Sequence, residues 1–204
     1  MKECTKKDCA TRQRILDAAL KQFAHSGYAG TSVAEIVKAA KVAKPALYYY
    51  FRNKADLFHA LVDSALTERF RLMEEAAARG KDLGEKLVEI LSALFEFQIE
   101  NRELMRIAFA TAFAAPGEVP TKASLMTKRE RNFEFINELV KKELVAGRLN
   151  RKFDSRELAF GVYGSMNVYI MAHLMLPGCK LNRKTAERIV ELFMAGASAK
   201  PKKK

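Results

Sequence analysis

The sequence predicts an all-α protein of about nine helices. Apolar residues recur with helical spacing in nearly every segment, and no segment shows the strict apolar–polar alternation of a half-buried strand. No internal repeat of fixed period is found. The 204 residues are 49% hydrophobic, with ten Gly, five Pro and no Trp. This composition excludes a disordered tail protein, a collagen-like repeat and a disulfide scaffold.

The first four predicted helices are bounded by residues that favour helix ends. They span about residues 11–25, 32–40, 44–51 and 53–79. Gly27 ends the first, and Ser32 with Glu35 three positions later forms a capping box that begins the second. Pro45 lies in the first turn of the third helix, where its missing N–H costs nothing, and Asn53 caps the fourth.

Five more helices follow, over about residues 82–100, 101–115, 121–146, 154–176 and 182–197. Pro116 breaks the chain between the second and third of these, and Asp154 with Glu157 forms another capping box. Residues 158–179 carry no charged side chain, a stretch long enough to span a membrane. Its Gly, Asn, His and Pro residues favour instead a helix buried on several sides within the protein.

Positive charge is concentrated at the two ends of the chain. Lys and Arg total 36 against 24 Asp and Glu, a formal net charge of +12. Residues 1–54 hold eleven basic and four acidic residues, a net charge of +7, and residues 200–204 add +4. Residues 55–199 are close to neutral, at +1. This excess indicates an anionic partner, either nucleic acid or an anionic membrane surface.

We expect a cytoplasmic protein with no catalytic residues, no metal site and no cofactor. Three Cys without paired spacing fit a reducing compartment, and the first residues contain no apolar stretch of a secretory signal. His25, His59 and His173 lie in separate segments with no evident nucleophile or carboxylate partner. The sequence also lacks a Gly-rich phosphate loop.

Residues 31–54 carry the most informative motif. Two short predicted helices are separated by a turn at residues 41–43 inside the basic segment, which is the helix-turn-helix arrangement. The second helix could lie in a DNA major groove with Lys44 at the base edges. The three tyrosines 48–50 offer hydroxyls to phosphates and rings to thymine methyls. Spacing alone leaves open a helical bundle with a basic face, in which one of these tyrosines is mainly core.

Residues of about 11–58 resemble the N-terminal DNA-binding domain of the TetR family of bacterial transcriptional repressors. The resemblance rests on Ile15–Ala19, Phe23, Gly27–Val33, Ile36, Val42, Leu47–Phe51, Asn53, Lys54, Leu57 and Phe58. The sequence departs from the family at Lys41, where a Gly is usual in the turn. It also has Lys44, Pro45 and Ala46 at the base-reading positions, so the operator sequence cannot be copied from a relative.

The resemblance implies a set of DNA contacts and a domain division. Base readout is expected from Lys44, Pro45 and Tyr49, and mainly phosphate contact from the others. Ser32 joins the set because it begins a helix, whose N-terminus attracts phosphate. The expected contacts are Thr31, Ser32, Lys44, Pro45, Ala46, Tyr48, Tyr49, Tyr50 and Lys54. The corresponding domains are a DNA-binding domain at 1–54, ordered from about residue 10, a ligand-binding and dimerisation domain at 55–199, and a basic tail at 200–204.

The resemblance also implies a homodimer. An apolar stripe on the last helix and small residues on the uncharged helix would let two helix pairs pack across a two-fold axis. The predicted interface is Gly161, Gly164, Ser165, Ala186, Ile189, Val190, Phe193, Met194 and Ala197. The alternative is that both stripes serve only the core of the single chain. A two-fold dimer would place its recognition helices about 34–36 Å apart, or a multiple of that, on a palindromic operator.

A small effector is the remaining implied partner. Aromatic and Met residues with a few polar groups favour a mainly apolar ligand. The candidate lining is Phe95, Gln98, Met105, Phe109, Phe113, Phe133, Asn137, Tyr163, Asn167 and Met171, each of which could equally be core. By resemblance, the ligand would move the long helix that begins at Asn53 and so release the DNA. A DNA-binding architectural protein without ligand control is the alternative function.

Overall fold

The structure is a computed structural model that describes residues 6–115, 117–120, 123–176 and 178–198. Over these residues it contains nine α-helices and no named strand, which confirms the all-α prediction. The helices are α1 (Lys6–Ser26), α2 (Val33–Ala40), α3 (Lys44–Tyr50), α4 (Lys54–Ala77), α5 (Leu83–Glu100), α6 (Arg102–Phe113), α7 (Ala123–Val145), α8 (Ser155–Met175) and α9 (Arg183–Ala197). The predicted break at Pro116 and the predicted tail at 200–204 lie outside the described residues.

The helix ends follow the local sequence. Both predicted capping boxes are present, at Ser32 with Glu35 and at Asp154 with Glu157. Gly27 follows α1 with a φ of 71°, a left-handed conformation that costs Gly nothing and other residues about 1–2 kcal/mol. These local interactions fix where the helices begin and end before any tertiary packing is considered.

The described residues form two compact units, and the division falls within α4. The first unit contains the residues up to Ala65 together with Glu103–Leu125. The second contains Leu66–Arg102 and the residues from Met126 onward. The sequence placed the boundary at residue 54, the start of α4, whereas the first three turns of α4 and most of α6 belong to the N-terminal unit.

The core of the first unit fixes the position of α3. Its large buried side chains come from α1, α2, α3 and α4, and from the residue that follows α3: Ile15, Phe23, Ile36, Leu47, Phe51, Leu57 and Phe58. Each contributes about 1.5–3 kcal/mol relative to an exposed position. The rings of Phe23 and Phe58 meet edge to face with centroids 5.2 Å apart. Because Leu47 and Phe51 are buried in this cluster, the opposite face of α3 turns outward.

In the second unit, α9 packs on α5 and α8. Leu87, Ile90 and Leu94 of α5 are fully buried, and Ile189 and Val190 of α9 are each 4% exposed. The apolar stripe predicted on the last helix is therefore part of the core of this unit.

In the single chain, the uncharged helix is not buried on several sides as predicted. Only 28% of its most apolar window is buried, although α8 is long and apolar enough to cross a membrane. Leu158, Val162 and Met166 face the core, whereas Phe160 and Val168 are 59% and 56% exposed. One face of α8 thus supports the unit, and another apolar face is uncovered in the single chain.

A charge cluster joins three parts of the second unit and predicts acid sensitivity. Oxygens of Glu89 on α5 accept from Arg183 Nη2 at 2.8 Å and from Arg79 Nε at 3.0 Å. These hydrogen bonds, the one from Arg183 first, lower the pKa of Glu89. A carboxyl whose pKa is lowered in the folded protein stabilises the fold at pH values above its unfolded pKa of about 4.3. That contribution is lost as the pH falls through the lowered pKa of the folded protein.

We therefore expect Glu89→Gln to lower the free energy of unfolding by about 1 kcal/mol at pH 7. The difference from wild type should be smaller at an acidic pH below the unfolded value, because the contribution of the carboxylate is lost as the pH falls through its lowered folded pKa. Urea unfolding of both proteins at the two pH values measures this. A difference of equal size at both values would mean that the carboxylate charge is not the cause.

Candidate nucleic-acid interface

The outward face of α3 carries the residues predicted to read DNA bases. Lys44, Pro45, Tyr48 and Tyr49 lie on it, one turn of helix apart in pairs, and all four are exposed. Tyr48 and Tyr49 are 46% and 71% exposed, which is unusual for large aromatic side chains in a compact unit. Ala46 is half-buried. The helix thus presents a cation and two aromatic rings together, a combination suited to phosphates and base edges.

Tyr50 differs from the two preceding tyrosines. Its side chain is half-buried, and its hydroxyl donates to Asp8 Oδ1 on α1 at 3.1 Å. The Tyr49 and Tyr50 rings meet edge to face with centroids 4.8 Å apart. The structure therefore gives Tyr50 a role in attaching α3 to α1, and a phosphate contact by its hydroxyl would require the bond to Asp8 to open.

Lys54 is held inside the first unit rather than extended into solvent. Its Nζ donates to the carbonyl oxygens of Tyr28 and Thr31, each at 2.8 Å. The same ammonium lies 4.4 Å from the centroid of the Tyr28 ring, a cation–π distance. Two of its three donors are occupied in this way. The side chain predicted to contact phosphate thus fastens the start of α4 to the loop before α2.

Thr31 and Ser32 are also engaged within the protein. Thr31 is 2% exposed, and its hydroxyl donates to the Gly27 carbonyl oxygen at 2.7 Å. The Ser32 hydroxyl and backbone N–H both donate to Glu35 Oε2 at 2.8 Å, and these bonds lower the pKa of the Glu35 carboxyl. The N-terminus of α2 therefore already holds a carboxylate, where the sequence predicted a DNA phosphate.

The turn between α2 and α3 contains an unusual backbone conformation. Lys41 has φ 52° and ψ 49°, and among the described residues it is the one non-glycine residue with positive φ. Its backbone N–H donates to the Lys38 carbonyl oxygen at 3.2 Å, which closes the end of α2. Lys41 thus has the left-handed backbone conformation that commonly ends an α-helix, but it carries a side chain at a position where the family usually has Gly.

We expect Lys41→Gly to raise the free energy of unfolding by about 1 kcal/mol, because Gly adopts this conformation without the steric cost of a Cβ. Thermal or urea unfolding measures the change. Lys41→Ala is the matched control, because it removes the same charge but keeps the Cβ, and it should not stabilise the protein. Equal stabilisation by both variants would attribute the effect to charge.

The predicted effector residues are divided between the two units. Phe95, Gln98, Phe133, Asn137, Tyr163, Asn167 and Met171 lie in the second unit, and Met105, Phe109 and Phe113 lie in the first. Phe113 is 76% exposed, whereas Phe95 and Gln98 are fully buried. Neither amide atom of Gln98 has a hydrogen-bond partner among the residues that the structure describes. Sequence reasoning missed Arg69, which is 3% exposed and donates to Asn167 Oδ1 at 3.3 Å.

Four of the predicted interface residues of α9 are buried within the single chain. Ala186, Ile189, Val190 and Ala197 are at most 4% exposed within the single chain, so they have almost no surface to offer a partner. Gly161 lies close to Phe193, because a Cβ added there would be 3.9 Å from the Phe193 ring. The uncovered apolar side chains of α8 and α9 are instead Phe160, Val168, Tyr169, Met175 and Leu192.

The histidines do not form a catalytic or metal cluster in the described part of the chain. His59 Nε2 lies 2.9 Å from the Pro120 carbonyl oxygen, and His173 Nδ1 lies 2.6 Å from the Cys179 carbonyl oxygen. Over those residues, no group of three or more His, Cys, Asp or Glu could hold a metal ion.

Comparisons with known proteins agree with this geometry. The sequence profile of "Bacterial regulatory proteins, tetR family" matches residues 15–61. The "Uncharacterized HTH-type transcriptional regulator YdgC" of Bacillus subtilis (strain 168) is 25% identical over 194 residues, 93% of this chain and 94% of that protein. A TetR family transcription regulator from Marinobacter aquaeolei VT8 is similar in structure, with a TM-score of 0.77 at 20% identity over 96% of this chain and 99% of that one. FadR from Bacillus subtilis, in complex with stearoyl-CoA, has a TM-score of 0.72 at 22% identity over 90% and 98%. At such identities, the structural likeness shows the fold.

Proposed function

Because the chain belongs to the TetR family of bacterial transcriptional regulators, we propose that it is a cytoplasmic repressor that binds a palindromic operator as a homodimer. The observation that carries the proposal is the exposed face of α3. It places Lys44, Tyr48 and Tyr49 together on a helix whose other face is anchored by buried Leu47. A helix held in this way can enter a major groove without losing its own core contacts.

Within this proposal the DNA contacts fall into two groups. Lys44, Pro45 and Tyr49 read base edges, and Tyr48 contacts phosphate from the same face. Ala46 adds apolar contact near the N-terminus of α3. The other proposed contacts, Thr31, Ser32, Tyr50 and Lys54, act mainly by holding the helices in place, since their polar groups already bond within the protein.

A mobility-shift assay on DNA upstream of the chain's own gene tests the proposal. Wild type is compared with Lys44→Ala and Tyr49→Ala, each of which should weaken binding to the specific duplex. Lys142→Ala on α7 is the matched control for lost charge, because Lys142 is exposed and lies in the second unit. Equal retardation of specific and random duplexes by all proteins would refute the site. Such a result would favour an architectural DNA-binding protein, which has little preference among duplexes.

The proposed effector binds in the interior of the second unit. Phe95 and Gln98 lie one turn apart on α5 and are both fully buried. A buried amide with no partner costs about 1–3 kcal/mol, a cost that a ligand's polar group would remove. The stearoyl-CoA complex of the similar FadR protein makes a long acyl chain a reasonable first class of effector to test. The effector must bind one conformation better than the other, since equal affinity shifts nothing.

We expect Gln98→Met to stabilise the ligand-free protein by about 1 kcal/mol or more, because it replaces an unpaired buried amide by an apolar chain of similar length. Urea unfolding measures this change. The same variant should respond less to fatty acyl-CoA in the DNA-binding assay. A loss of stability would mean that the amide is satisfied in the ligand-free protein, and the effector would then have to be sought elsewhere.

The proposed dimer uses the uncovered apolar face of α8 and α9. Phe160 and Val168 on α8 and Leu192 on α9 are each more than half exposed, and together with the glycines 161 and 164 they allow close helix packing. A second copy of the chain fits this face, because a two-fold axis would place the same apolar side chains against one another.

A further inference from the structure

Lys41 keeps a strained conformation that a glycine would relieve. Residues in such conformations persist where the surroundings hold them, and they concentrate at functional positions. Lys41 is exposed, and it stands three residues before Lys44, the first residue of α3. Its side chain therefore needs an explanation other than the stability of the turn.

The surroundings of Lys41 are basic. Arg14 Nη2 on α1 donates to the Lys41 carbonyl oxygen at 3.4 Å. A groove of about 320 Å³ between α1 and α2 is lined by Arg14, Lys21 and Lys41 together with alanines 18, 39 and 40. The acidic residue of this groove is Asp17, whose Oδ1 accepts from Gln13 Nε2 at 2.8 Å. Over the described residues, no carboxylate forms an ion pair with any of the three cations.

We propose that Lys41, with Arg14 and Lys21 beside it, binds the phosphate backbone of DNA at the edge of the major groove that α3 enters. This inference rests on the proposed DNA binding by α3. Three residues span at most about 11 Å, so Lys41 lies within that distance of Lys44. A recognition helix enters the major groove by its N-terminal residues, and the turn before it then lies near the phosphates that border the groove.

The chemistry of the three cations fits a phosphodiester backbone better than a base edge. Arg14 and Lys21 lie on α1 and Lys41 lies in the turn after α2, so the three cations line the side of a groove and do not form the face of a single reading helix. Phosphate contacts position a protein on DNA and carry no sequence information directly. The Lys41 surface, defined as Arg14, Lys21 and Lys41, therefore adds affinity and salt dependence but no specificity.

The test measures the salt dependence of DNA binding. A duplex is selected from a random library with the full-length chain, and its affinity is measured from 50 to 200 mM salt beside that of a scrambled duplex. The variants are Lys41→Gly, Lys41→Ala and Lys41→Arg, with Lys142→Ala as the control for charge lost elsewhere. Arg14→Gln and Lys21→Gln test the neighbouring cations. Because Lys41→Gly relieves strain, loss of folding does not confound the result.

We expect Lys41→Gly and Lys41→Ala to lower the slope of log affinity against log salt by about 0.9 for each bound chain. As the salt rises from about 50 to 200 mM, the ratio of wild-type affinity to variant affinity should then fall about threefold per chain. The loss should be the same on both duplexes, and Lys41→Arg should keep the wild-type slope. An unchanged slope in the Gly and Ala variants, or an equal change in Lys142→Ala, would overturn the inference. If wild type selects no sequence, the proposed repressor function fails, but the slope on the scrambled duplex still decides the role of Lys41.

Discussion

Replacing Leu192 by Glu is expected to convert the proposed homodimer into a monomer that remains folded. Leu192 is 77% exposed in the single chain, so the substitution should change the free energy of unfolding of a monomer by no more than about 0.5 kcal/mol. In a two-fold interface on α8 and α9, each new carboxylate would be buried without a partner, at a cost of about 3–5 kcal/mol. The dimer dissociation constant should therefore rise by roughly 100-fold or more.

Sedimentation equilibrium over a range of protein concentrations measures this change. Val145→Glu is the matched control, because Val145 is 74% exposed at the end of α7, outside α8 and α9, and should leave the dimer intact. A Leu192→Glu protein that dimerises as tightly as wild type would place the interface on another surface. Binding of the wild-type chain to lipid vesicles, lost in Leu192→Glu, would assign the uncovered face to a membrane instead.

Replacing Lys54 by Met is expected to destabilise the DNA-binding unit by about 2 kcal/mol. The substitution removes both 2.8 Å hydrogen bonds from Nζ to the carbonyl oxygens of Tyr28 and Thr31, and also the cation–π contact with the Tyr28 ring. Hydrogen bonds from a charged donor are worth more than neutral ones, and the half-buried carbonyls would lose their partner. Met keeps most of the volume of the lysine chain, so the loss of these polar contacts dominates.

Urea unfolding of wild type and Lys54→Met measures this effect. Lys38→Met on α2 is the matched control, since it removes a lysine that is exposed in the same unit, and it should change stability by no more than about 0.5 kcal/mol. If Lys54→Met is as stable as Lys38→Met, the two carbonyl contacts contribute nothing measurable. The ammonium would then be available for phosphate, as the sequence predicted.

The helices and the anchors of α3 could be predicted because their causes are local. The capping box of Ser32 and Glu35 needs two residues three positions apart, and Leu47 and Phe51 are one turn apart on the same helix. The partners of Lys54 could not be predicted. They are backbone carbonyl oxygens that lie 23 and 26 residues away in the sequence. Because every residue has a backbone carbonyl, no residue type in the sequence indicates this contact.

The sequence predicted where the apolar helix faces lie more reliably than it predicted which surface packs against each face. The period of the last helix identified Ile189 and Val190 as an apolar stripe, but burial against α5 and burial against a second copy require the same stripe. On α8 the absence of charge hid the difference between its two faces, one packed on the core and one exposed at Phe160. Only the tertiary packing distinguishes the two kinds of face.

The outward face of α3 also gives the protein an optical property. The chain has six tyrosines and no tryptophan, so tyrosine emission is not quenched by energy transfer to an indole. Half of these fluorophores are residues 48–50 on α3, and Tyr49 is the most exposed of the tyrosines among the large hydrophobic side chains at the surface. Stacking or hydrogen bonding of these phenols against DNA would change the intrinsic emission, so the unlabelled protein carries its own fluorescent reporter at the recognition helix.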